Sequence, residues 1–130
     1  MGMDLINRAG VVFDLSASWW WFYRILAQEY GWEPKGTGRP DHLSETEEWS
    51  GLYDSCDGQI VHKDDAYALA AALTKALADL NSETLIDEML DEWQKNFEKQ
   101  TGMPLSKPSF DVEFTRELIH FCNSGEFRIE

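Results

Sequence analysis

Basic residues are scarce in this chain of 130 residues: 11 Lys and Arg stand against 24 Asp and Glu, for a formal net charge of −13. Phosphate binding draws its affinity from cations that displace counterions, so this balance excludes the ordinary route to nucleic acid. An anionic membrane surface would repel the chain for the same reason. Cysteine is nearly absent, with Cys56 and Cys122 the only two. A chain with this much apolar material folds without a disulfide, so both are expected as reduced thiols, Cys122 as a small core residue and Cys56 in a polar turn. Long apolar runs are missing as well. Charges interrupt them well short of the ~20 residues that a membrane-spanning helix requires. Met1 to Leu15 has neither a basic start nor a long apolar centre, so no span and no signal peptide are expected, and the cytoplasm is the expected compartment.

Catalytic signatures are equally sparse. There is no Gly-x-Ser-x-Gly and no phosphate-cradling glycine loop. His42, His62 and His120 fall in a loop, at a helix start and in a late helix, without the paired spacing of zinc ligands. Asp54, Asp57, Gly58 and Asp64 resemble a calcium loop only until Gly58 is aligned with its turn glycine, which puts Tyr53 in the first ligand position. The pairs Glu47–Glu48 and Asp64–Asp65 lie in polar stretches and read as solvated faces rather than as an acid and a base with separated pKa values. No catalytic residue, metal site or cofactor is expected, and the chain is not read as an enzyme.

What is present is core material: 43% of the residues are hydrophobic and 13% are aromatic, with five aromatics in a row from Trp19 to Tyr23. One globular domain over residues 1–130 is expected. Val11, Val12, Phe13 and Leu15 suggest a short strand, after which Ser16 or Ser18 caps a helix running to about Tyr30, ended by Gly31. Trp32 to Pro40 reads as an irregular loop and Leu43 to Trp49 as one helical turn. Gly51 to Val61 reads as a hairpin, with Leu52 and Tyr53 on one arm, Asp57-Gly58 at the turn and Ile60 and Val61 on the other.

From Lys63 onward Ala66, Leu69, Ala70, Leu73, Leu77 and Leu80 share one helical face, with His62 at the cap and Asp64 and Asp65 in the first turn. Leu85, Ile86, Met89, Leu90, Trp93 and Phe97 mark a further helix ending near Gly102. The last helix spans Phe110 to Asn123, followed by a closing strand carrying Phe127 and Ile129. The fold class is therefore α+β, about four helices packed on a small, mostly antiparallel sheet.

Tyr30-Gly31-Trp32-Glu33-Pro34 with Gly36-Thr37, Asp57-Gly58-Gln59-Ile60-Val61 leading through Asp65-Ala66 into Leu69-Ala70-Ala71-Ala72-Leu73, and Phe121-Cys122 with Gly125-Glu126-Phe127-Arg128-Ile129 resemble a family of small acidic bacterial proteins of uncharacterised function. The similarity is spread over most of the chain. It implies one compact domain and brings no activity with it. Immunity proteins, which block toxins, share this size and charge, and that likeness is one of analogy.

Two binding expectations follow. Glu45, Glu47 and Glu48 run up to Trp49, while Asp87, Glu88, Asp91 and Glu92 project from a helix that carries Trp93. Carboxylates would steer a basic protein partner and an aromatic would anchor it, so these nine residues form the candidate partner-binding site of an immunity-like or antitoxin-like module. Alternatively, successive side chains of a helix point about 100 degrees apart, so Trp19 to Tyr23 cannot all enter a one-sided core. The excess would serve a homodimer or another assembly. A small-ligand pocket walled by tryptophans is the third, lesser expectation.

Overall fold

Alternation of apolar and polar residues builds the sheet. In the computed structural model, which describes residues 2–79, 91–92, 94–96, 98–102 and 111–130, strands β1 (Gly2–Asn7), β2 (Val12–Ser16), β3 (Gln59–Val61) and β4 (Phe127–Ile129) form one antiparallel sheet in the order β2-β1-β4-β3. Met3, Leu5, Leu15, Val61, Phe127 and Ile129 turn to one face and are buried, while Asp4, Val12, Asp14, Ile60 and Arg128 turn to the other. The helices cover the first face: α1 (Ala17–Glu29), α2 (Lys63–Asp79) and α3 (Val112–Cys122) send Trp20, Tyr23, Leu69, Leu73, Leu118 and Cys122 into the same core cluster. Further helical residues lie within 91–101. The expected α+β architecture is observed.

Helix ends follow their capping residues. Ser16 accepts a hydrogen bond from the Trp19 amide to start α1, and Gly31, at φ +100°, takes the left-handed conformation that ends it. Asp111 does the same for the Phe114 amide at α3. Of the five consecutive aromatics, Trp20, Phe22 and Tyr23 are buried, and Trp19 and Trp21 pack half-buried against the core. The segment around Tyr53 packs against Trp20, whose indole donates to the Tyr53 carbonyl at 2.8 Å.

Three expectations need correction. Residues 43–49 form no helix; the Leu43 amide bonds Pro40 and the Glu47 amide bonds Ser44, which makes two separate turns. Ser44 spends its hydroxyl on Thr46 and Glu47, a local alternative to helix propagation. The hairpin from Gly51 to Val61 is absent too. Gln59–Val61 pairs with the distant β4, and Gly38 adds a single bridge on its other side. The Leu52 carbonyl is instead satisfied by the side chains of Thr37 and Gln59. Third, β1 joins the sheet where no strand is expected from the sequence. Of the helix expected from Leu85 to near Gly102, the described residues within 91–101 are helical, while residues 85–90, 93 and 97, like Leu80, lie outside the described residues.

Candidate functional site

Two polar constellations stand out, and they differ in access. The first is sealed. Asp65 lies one helical turn before Leu69 on the apolar face of α2 and is 2% exposed. It accepts from Trp32 Nε1 at 3.0 Å and from the Tyr53 hydroxyl at 2.5 Å, and Tyr53 in turn accepts from the Gly36 amide. The Tyr53 hydroxyl is pushed well above its ordinary pKa, first by burial and then by the bond to Asp65. Arg24 lies over the Trp20 and Tyr53 rings and pairs with Asp54. This cluster ties the segment of residues 31–58 to α1 and α2. Asp65 is thus not the solvated first-turn carboxylate expected from the sequence: two donors compensate its burial, and its register with Leu69 was the available signal.

The second constellation is open and belongs to the outer face of the sheet. Asp14 stands opposite Asp4, and Asp4 exchanges both backbone hydrogen bonds with Glu130, at 2.9 and 2.8 Å. These pairings set Asp14, Asp4 and Glu130 side by side across β2, β1 and the end of β4, all three exposed. Facing residues of an antiparallel pair sit about 4.5–5.5 Å apart at Cα, so the three charges are neighbours. Asp57 and Asp4 both help raise the pKa of the exposed Cys56 thiol, after desolvation as the larger cause. Gly58, at φ +82°, brings the turn against this end of the row, its amide bonding the Ile129 carbonyl.

An adjacent row across the same face reads Val12, Ile6, Arg128, Ile60 and Gly38. The one cation in it is already committed, Arg128 pairing with Asp41 at 2.5 Å. Among the described residues no salt bridge reaches Asp4, Asp14 or Glu130. A carboxylate row without an ion pair beside the apolar Val12 and Ile6 is suited to a Lys or Arg side chain, whose stem lies on apolar surface while its head reaches an acid.

The residues expected from the sequence to bind a partner are distributed over two other places. Glu45, Glu47 and Glu48 are exposed on the loop that Asp41 ties to the outer sheet face. Trp49 is half-buried, its indole nitrogen committed to the carbonyl and hydroxyl of Thr37 at 3.1 and 3.2 Å. Asp91 and Glu92 are exposed helical residues, and Glu92 borders a shallow cleft with Trp21, Ile25 and Glu29 of α1. Asp87, Glu88 and Trp93 lie outside the described residues.

His42, His62 and His120 are exposed, and among the described residues no group of three or more His, Cys, Asp or Glu is placed to hold a metal ion. Cys122 is fully buried and its thiol is pushed up to about 12 by desolvation. Among the described residues no helix is long and apolar enough to cross a membrane. Comparison with protein-family models, with curated proteins and with solved structures finds no match to the chain.

Proposed function

We propose that the protein is a non-catalytic binding module that masks a basic surface of a partner protein, in the manner of an immunity protein or antitoxin. The observation that supports it is the row Asp14, Asp4 and Glu130, aligned without a salt bridge among the described residues on a sheet face whose one cation, Arg128, is taken by Asp41. Like charges set directly opposite one another cost stability, and a Lys- or Arg-bearing partner relieves that cost on docking. Glu45, Glu47 and Glu48 extend the same field from the loop tied down by Asp41. At a net charge of −13, long-range steering of a cationic partner follows.

The test compares the native chain with the variant carrying Asp4→Asn, Asp14→Asn and Glu130→Gln, each immobilised and exposed to extract of the source cell. A basic protein retained at low salt by the native chain, released as salt rises and lost from the variant, is the expected result. Equal retention by both chains sinks the assignment of the face. Self-association remains a second reading because Trp21 is half-buried and Ile25 is exposed on the same helix. Sedimentation of a monomer at tens of micromolar argues against it.

A further inference from the structure

The two edges of the sheet are finished differently. At the β3 edge the Gly38 amide donates to the Ile60 carbonyl at 2.7 Å and the Ile60 amide donates to the Gly38 carbonyl at 3.1 Å. At the β2 edge, among the described residues, pairing exists only with β1. The direction of the free groups follows from alternation. The Asn7 amide bonds the Val11 carbonyl, so Val11, Phe13 and Leu15 face β1 with their backbone, and Val12 and Asp14 direct theirs outward.

Natural sheets blunt such an edge with Lys, Pro, a bulge or a covering segment. Here the only charge on the strand is Asp14, and Val11 and Val12 remain 55% and 53% exposed. On the inner side of this edge a groove of about 430 Å³ separates β2 from α3, its apolar wall made by Val11, Phe13 and Phe121 and its rim carrying Glu117, His120 and the paired Glu113 and Arg116. Donors, acceptors and an apolar slot thus lie along one strand.

We propose that the basic partner engages through an extended segment that adds as a new strand beside β2, its apolar side chains entering the β2–α3 groove and its alternate Lys or Arg side chains lying beside Asp14 and Asp4. The inference rests on the binding reading above and specifies its geometry. Charge selects this occupant over a second copy of the chain: two β2 edges joined antiparallel would bring together two molecules of net charge −13 and two copies of Asp14. A cationic strand meets the same edge with complementary charge, and main-chain bonds with alternate side-chain pockets are the mode by which exposed edges accept peptides.

The probe is a terminally blocked ten-residue peptide of alternating lysine and valine, compared with the same peptide methylated at every backbone nitrogen, which keeps charge and side chains but loses its donors. Fluorescence anisotropy at low salt should give about tenfold tighter binding for the unmethylated peptide, from the several hydrogen bonds it alone makes. The amide resonances of Val12 and Asp14 should shift most. Val12→Pro removes an outward donor and leaves the β1 ladder intact; it should erase the tenfold difference, and Asp14→Lys should weaken both peptides.

Equal binding of both peptides overturns the added strand while leaving a charge-driven basic partner in place. Failure of both to bind at low salt overturns the two readings together. Shifts confined to the Gly38–Ile60 edge, or dimerisation of the chain without peptide, reject β2 as the site or the peptide as its occupant.

Discussion

The two faces of the sheet are made from alternate residues of the same strands, yet they answer opposite demands. Met3, Leu5, Leu15, Phe127 and Ile129 on the inner face are sealed under α1, α2 and α3. Asp4, Asp14 and Glu130 on the outer face are exposed and crowd one another. Apolar packing is concentrated on one side of a layer a single residue thick, and exposed negative charge on the other. A period of two is enough to separate the packed face from the proposed docking face, because a change on one face leaves the other's side chains where they were.

Cutting the inner face should cost the most. Leu5→Ala removes a fully buried side chain from the central strand β1, and about 2–5 kcal/mol of stability should go with it. Ile6→Ala, one residue along and half-buried on the outer face, should cost under about 1 kcal/mol. Urea unfolding of the two variants measures the contrast. Comparable losses would mean that the outer row is packed against something and is not a free surface.

Alkaline pH attacks the inner side through Tyr23. Burial pushes its hydroxyl from 10 up to about 12, and the group bonds Thr115 at 2.7 Å while Thr115 itself donates to the Asp111 carbonyl. The neutral phenol is favoured in the folded state, so its contribution is intact below pH 10 and disappears as pH rises through about 12. That window should remove roughly 2–3 kcal/mol, two pKa units' worth. Chemical denaturation on either side of pH 10 reads the slope, and Tyr23→Phe should make it shallower, with Cys122 and Tyr53, both also raised, supplying what remains. An unchanged slope in the variant would assign the alkaline loss to other groups.

How much of this was legible depended on the range of the interactions involved. Ser16, Gly31 and the Ala66–Leu73 face announce α1 and α2 because capping and helical period are local. The Phe127–Ile129 alternation likewise announces β4. β1 was not legible, since Gly2–Asn7 has little β-branched or aromatic content and owes its conformation to partners on both sides. The false hairpin arose from a true local signal, the Asp57-Gly58 turn, whose outgoing strand finds its partner at the far end of the sequence. The carboxylate row has the same origin. Asp4, Asp14 and Glu130 become neighbours only through the order β2-β1-β4-β3, which hydropathy does not encode. Runs such as Glu45–Glu48, contiguous in sequence, drew the eye instead.

The smallest expected effect tests whether the outer face is strained. Asp14→Asn removes one of two carboxylates set opposite each other and should stabilise the fold by roughly 0.2–1 kcal/mol at low ionic strength. The gain should shrink in salt, because the Debye length falls to about 3 Å at 1 M. Asp41→Asn, on the same side of the sheet, should act in the opposite sense, losing up to about 1 kcal/mol with the partly exposed Arg128 pair. Two neutralisations of the same residue type would then differ in sign only because one acid has a cation within reach and the other has an acid. If both variants lose stability, Asp4 and Asp14 do not repel each other enough to matter, and the case for a surface that awaits a basic partner weakens with them. If Asp14→Asn is the more stable chain and also the poorer binder, the strain on this face is retained for docking at the expense of the fold.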